Sequence, residues 1–282
     1  MSSFEQIVDA LADLGFDSFV LLDKAEPESK TFASLVSTGF KLELVALLGV
    51  STGLIDYQLA EGGAAKLWEE VEGIATQVAV ANPDDIRHCM ELLLRTPVCS
   101  LYREQKARRI DRLFSSDVPA HIADNFAECI GEPAKLWKTI ADVVQSSPEK
   151  KTIAFAMKAF DLAVFARSGR YLAFEEEPPI AVDFHIRRVS EILGLTSPEV
   201  PDDEIRHLWF RVSTEVSVKT GKSISPFRID SLIWQTGVST YDPKVKKHMK
   251  SQLEKLERHL AEIGIPKART SKFLTLLRSS PF

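Results

Sequence analysis

Cysteine is scarce in this sequence, long apolar runs are missing, and the apolar–polar alternation of a β-strand is not sustained over any useful length. The three cysteines, Cys89, Cys99 and Cys129, are isolated and lack the paired spacing of zinc or iron–sulfur ligands. That excludes a metal-stapled or disulfide-built framework and points to reduced thiols. No stretch is long and apolar enough to span a bilayer, and Met1-Ser2-Ser3-Phe4 lacks the basic-then-apolar form of a secretion signal, so a cytoplasmic protein without membrane contact is expected. Positive charge is also in deficit. A net charge of −5 argues against indiscriminate nucleic-acid binding.

What is present is ordinary globular material: 282 residues, 45% apolar and 27% charged, enough to bury a core. The charge is unevenly spread. Residues 241–282 hold ten Lys/Arg against four Asp/Glu, a local +6, so residues 1–240 carry −11. A second basic cluster, Arg103, Lys106, Arg108, Arg109 and Arg112, falls on one predicted helix, as either a solvated face or a phosphate contact. Any contact with a polyanion must therefore be local.

Apolar spacing predicts helices almost throughout. Phe4, Ile7, Val8, Leu11 and Leu14, followed by Gly15, form the first; a turn over 21–29 leads to a second with Phe32, Leu35 and Val36. Two helices follow in 41–80, then a helical run over 84–114 broken at Thr96-Pro97. A helix running to about Lys219 ends at Thr220-Gly221, and Ser225-Pro226 starts the next. Val245, Met249, Leu253, Leu256, Leu260 and Ile263 make the stripe of a basic amphipathic helix in 241–282. The expected fold class is all-α.

The most informative stretch runs from Val144 to Leu195. Ser147-Pro148-Glu149 has the form of a helix start, with a hydroxyl to accept an orphan N–H and a proline in the first turn. It places Lys151 in the opening turn of a helix that runs to Ser168-Gly169. Asp183 repeats the logic as an N-cap, with Ile186, Val189, Ile192 and Leu193 as the buried stripe behind it. A helix N-terminus disfavours a nearby ammonium and favours a carboxylate, and Lys150 adds repulsion; this setting frees an amine to act as a nucleophile. From spacing alone, a surface lysine and a plain N-cap are the readier interpretation. His185, Arg187 and Arg188 fit either surface pairing or phosphate contact.

Val182-Asp183-Phe184-His185-Ile186-Arg187-Arg188-Val189-Ser190-Glu191-Ile192-Leu193-Gly194-Leu195 resembles the segment around the essential aspartate of the helix-hairpin-helix DNA glycosylases, and Lys151-Thr152 falls where their bifunctional members keep a lysine. Lys150 through Lys158, with Asp230-Ser231-Leu232-Ile233-Trp234, resembles the archaeal 8-oxoguanine DNA glycosylase family, AGOG. The likeness covers most of residues 1–240. It implies two helical subdomains with a helix-hairpin-helix element and an active-site cleft between them: N-terminal and later segments in one, roughly 80–190 in the hairpin subdomain, and 241–282 as an extension.

The resemblance further implies a bifunctional DNA glycosylase/AP lyase of base excision repair, monomeric, needing neither metal nor cofactor, acting on damaged DNA with a flipped 8-oxoguanine nucleotide, and nucleoid-associated in a prokaryote. Lys151 and Asp183 would be catalytic. Glu28, Trp68, Phe155, Lys158, Asp230 and Trp234 would bind the base: Asp230 accepting from a guanine-type edge, Phe155 and Trp234 stacking on its two faces. Without the resemblance, Trp68 reads equally well as a core tryptophan. Two departures stand out. The hairpin Gln145-Ser146-Ser147-Pro148-Glu149 has no glycine and adds a carboxylate, and Glu28 stands where the family pattern implies glutamine. They leave open a catalytically inactive lesion- or partner-binding protein, or a glycosylase for another damaged purine.

Overall fold

The computed structural model describes residues 3–60, 62–174, 179–241 and 249–279. Among them are sixteen α-helices and no strand: α1 (Ser3–Leu14), α2 (Phe16–Ala25), α3 (Pro27–Ser37), α4 (Leu42–Gly53), α5 (Gly63–Val78), α6 (Pro83–Leu93), α7 (Arg103–Phe114), α8 (Val118–Asp124), α9 (Phe126–Gly131), α10 (Pro133–Val143), α11 (Lys151–Ser168), α12 (Phe184–Ile192), α13 (Asp202–Thr220), α14 (Pro226–Thr240), α15 (Met249–Glu262) and α16 (Lys267–Arg278). No helix among the described residues is long and apolar enough to cross a membrane. The all-α expectation holds.

The chain divides into two compact units. One is continuous, residues 26–178; the other is assembled from 1–25 and 179–282.

The continuous unit is built round α11. From Thr152 to Phe165 every residue of this helix except Phe155 is buried, so α11 is enclosed on nearly all sides. Its closest neighbour is α4, and small residues set the approach. A Cβ on Gly53 would lie 2.6 Å from Ala156 Cα, and one on Gly49 would lie 3.3 Å from the Ala159 carbonyl oxygen and 2.9 Å from the Phe32 ring. Gly169, in the left-handed conformation at φ +67°, ends α11 where expected.

In the discontinuous unit α1 packs on α13 and α16, α12 on α14, and α14 on α2 and α15. Leu11, Ile186, Trp209, Leu232, Leu256 and Phe273 belong to one shared core. Leu253, Leu256 and Leu260 of the expected C-terminal stripe are buried there, alongside α16. Val245 and the Met249 side chain lie outside the described residues. The segment 21–25, expected as turn, is instead the last part of α2, and the turn contracts to Glu26, where Pro27 starts α3. Leu22 and Asp23 have core partners that outweigh the local turn chemistry.

Candidate active site

Within the continuous unit, Lys151, Phe155 and Lys158 share a face of α11 at spacings of four and three. Lys151 is half-buried at the first helical position. The start signal read at Ser147 is not used as a cap. The Ser147 hydroxyl bonds the Glu149 carboxylate within the hairpin, and Lys150, in extended conformation, precedes the helix. A long-range contact secures the helix head: Arg109 Nη1 donates to Thr152 Oγ1 at 2.7 Å and to the Leu54 carbonyl at 3.1 Å. Trp137 Nε1 donates to the Pro148 carbonyl at 3.0 Å, fixing the other side of the hairpin.

Lys158 differs sharply from Lys151. It is 1% exposed and paired with Glu26 Oε2 at 2.9 Å, with its ammonium 5.9 Å from the Phe155 ring centroid. Glu28 lies beside this pair, 2% exposed. Burial, then the charge of Glu26 and a side-chain hydrogen bond with it, push the Glu28 carboxyl well above the usual carboxylate range. The Oε1 atom of Glu28 is buried with no hydrogen-bond partner among the described residues.

Trp68 is buried, its ring 5.3 Å from Phe32 in edge contact, and its one donor, Nε1, is engaged by Asp56 Oδ2 at 3.2 Å. Its backbone carbonyl accepts from Thr31, on the helix that carries Glu28.

In the discontinuous unit, Asp183 caps α12 as expected: Oδ1 accepts from the backbone N–H groups of His185 at 2.8 Å and Ile186 at 3.0 Å. Gly237 lets α14 come close to this cap, since a Cβ there would stand 2.5 Å from His185 Cβ. Asp230 is buried and Trp234 half-buried on the same face of α14. The helix is held by groups the sequence did not single out. Arg228 Nη1 meets Asp23 Oδ2 at 2.5 Å and Ser231 Oγ donates to Asp23 Oδ1 at 2.6 Å, all three buried. Gln235 Nε2 donates to the Leu22 carbonyl, and its Oε1 meets His259 of α15 at 2.8 Å. Arg187 bonds the Val200 carbonyl and pairs with Asp202, following the salt-bridge reading, whereas Arg188 donates to the Thr240 hydroxyl and carbonyl.

The structure thus places Glu28, Trp68, Lys151, Phe155 and Lys158 in one unit, and Asp183, Asp230 and Trp234 in the other. The sequence model of the AGOG family, described as N-glycosylase/DNA lyase, matches residues 8–267. The chain belongs to this family. Among its relatives is the N-glycosylase/DNA lyase of Methanopyrus kandleri, 28% identical over 248 residues that make up 87% of this chain and 93% of that protein. The N-glycosylase/DNA lyase of Pyrobaculum aerophilum is 21% identical over 243 residues, 84% of this chain and 86% of that one. A solved structure of Pa-AGOG, the Pyrobaculum aerophilum 8-oxoguanine DNA glycosylase, complexed with 8-oxoguanosine, has the same fold: TM-score 0.68, 19% identity, 97% of this chain and 96% of that chain covered. In this AGOG chain Lys151 and Asp183 both head helices, as the helix-start reading of the sequence expected.

Proposed function

We propose that this AGOG protein acts as a monomer to excise 8-oxoguanine from DNA and then nicks the strand at the vacated sugar. The observation that carries the reading is the contrast between two lysines on one helix face: Lys158 is buried and ion-paired, whereas Lys151 stands half-buried at the helix head. The second, at the more accessible helix head, is the one we assign as the nucleophile toward an incoming sugar. Asp183 supplies the negative charge that stabilises the developing positive sugar and accepts a proton from the Lys151 ammonium. The Lys151 Nζ lone pair then forms a bond to C1′ while the glycosidic bond breaks and its electron pair leaves with the base. The aminal so formed opens as the nitrogen lone pair expels O4′, which takes up a proton, giving a protonated Schiff base; this acidifies the C2′ hydrogens, and β-elimination removes one of them as the C3′–O bond breaks and the 3′ phosphate leaves.

Base recognition follows from donor and acceptor counts. Asp230 accepts from N1–H and N2–H, and Phe155 and Trp234 cover the two faces, features shared by guanine and its oxidised form. The difference lies at N7, which carries a hydrogen only in 8-oxoguanine. The unpartnered Oε1 of Glu28 is an acceptor suited to that hydrogen, and it would face a lone pair in guanine. Borohydride trapping on duplex DNA containing 8-oxoguanine tests the reading. Wild type should give a covalent adduct, and Lys151→Gln should give none and release no base, with its melting temperature unchanged. An adduct persisting in Lys151→Gln would move the nucleophile elsewhere.

A further inference from the structure

The hairpin of this chain lacks the glycines that would expose backbone N–H groups to a phosphate, yet a groove of about 740 Å³ opens beside it. The groove is lined by Arg103, Glu104, Arg108, Arg109 and Arg112 of α7 and by Val144 and Gln145 at the start of the hairpin, four cations against one carboxylate. Among the described residues none of these four guanidiniums has a carboxylate partner. The nearby Asp111 faces Arg87 instead, at 3.8 Å. Four unpaired cations on one helix repel each other, and in an acidic chain they had many carboxylates available as neighbours. Two of the four are braced: Arg109 by Thr152 and Leu54, and Arg112 by the Val144 carbonyl at 3.1 Å. Arg103 and Arg108 are exposed with no such tie.

The backbone around the groove is also constrained. Tyr102, 61% exposed, and Gln145 both line it, and both are non-glycine residues at positive φ, +52° and +57°. Such backbone is uncommon for residues that carry a side chain and concentrates where a site demands a fixed geometry.

We infer that this groove is a nucleic-acid backbone site, in which Arg103 and Arg108 hold successive phosphodiesters of a DNA strand in place of the missing hairpin glycines. Guanidinium forks match phosphate oxygens in pairs, whereas a hydration-held lysine would give only a point charge. Arg109 extends from the groove to the head of α11, so a strand gripped here is registered against Lys151 through one side chain and one hydroxyl. The inference rests on the proposed DNA substrate but locates a contact that the catalytic residues do not supply.

The test uses the full chain carrying Lys151→Gln, so that nothing is excised, titrated with lesion-free and 8-oxoguanine duplexes over a range of salt. Adding Arg103→Gln and Arg108→Gln should weaken binding to both duplexes about tenfold or more and reduce the salt slope by about 1.8, roughly 0.9 per lost phosphate contact. Lys135→Gln removes an exposed cation that pairs with Glu128 and Glu132, and should change neither quantity. Unchanged affinity and slope in the double arginine variant, or an equal loss in Lys135→Gln, would overturn the groove. If both duplexes bind equally but the arginine effect is present, the groove stands and the 8-oxoguanine reading fails.

Discussion

Gly53 meets Ala156 almost backbone to backbone: a Cβ on the glycine would lie 2.6 Å from Ala156 Cα and 3.0 Å from its nitrogen. Neither atom is the end of a flexible side chain, so neither can yield without moving α11. That contact sits between Lys151 and Lys158 along the helix, and it sets how deep the helix lies. Gly53→Ala should cost about 1–3 kcal/mol by overpacking and lower the melting temperature by several degrees. Single-turnover base excision should fall more than that stability loss explains, because Lys151 moves with the helix. Full activity in a folded Gly53→Ala variant would show that the depth of α11 is not critical.

Asp183→Asn keeps a side-chain oxygen that can cap His185 and Ile186, and asparagine is as good an N-cap as aspartate. It removes the charge. Melting temperature should change by only about 1–2 °C, while glycosylase rate falls by orders of magnitude. Parallel, modest losses in both would reduce Asp183 to a structural cap.

Glu28 yields a prediction with a definite sign. Its carboxyl is raised in the fold by burial and by Glu26, whereas the unfolded value is near ~4.3. The folded state therefore retains a proton that the unfolded chain has released. Its contribution to stability is fully present below about pH 4.3 and is lost as pH rises through the folded value. Glu28→Gln is neutral at every pH, so its stability relative to wild type should grow by up to about 1.4 kcal/mol per pH unit across that window. Urea titrations between pH 4 and 8 measure this, and parallel profiles would mean that Glu28 folds as a carboxylate. Glutamine also keeps the free acceptor, so Glu28→Gln should retain selectivity for 8-oxoguanine over guanine. Glu28→Ala should narrow it.

The C-terminal helices are expected to be indispensable rather than accessory. Leu253, Leu256, Leu260, Phe273, Leu274 and Leu277 are all buried. At about 1.5–3 kcal/mol each, their loss is comparable with the roughly 5–15 kcal/mol that keeps a domain folded. Deleting residues 242–282 should give a chain that fails to fold, read as loss of cooperative thermal unfolding. A soluble, cooperative truncation with weaker DNA binding would restore the picture of an appended basic tail.

What could be read from the sequence depended on range. Asp183, Gly15, Gly169 and Gly221 mark helix ends through local chemistry, and each ends or starts a helix where it was expected. The same local logic failed at Ser147, whose hydroxyl is taken by Glu149 two residues away. The upward push on the Glu28 carboxyl was not legible, because its largest cause is burial, which only the folded packing supplies, with the charge of Glu26 next. The support of Asp230 was hidden for the same reason: Arg228 finds Asp23 across 205 residues, and no periodicity announces that pair. Candidate residues could be named from motif likeness; their charge states required the fold.

The division of the chain also sets an order of assembly. Residues 26–178 make one unit from contiguous sequence, so its loops can close while synthesis continues. The other unit cannot. Its first helix, α1, rests on α13 and α16, with Arg269 reaching the Leu14 carbonyl at 3.1 Å, so the N-terminal residues must wait for the last helix to be made. That long wait raises contact order and makes closure of the discontinuous unit the expected slow step in folding. The half that carries Asp183 would mature after the half that carries Lys151, so a newly made chain would hold only one of the two candidate residues in folded surroundings until its last helix is complete.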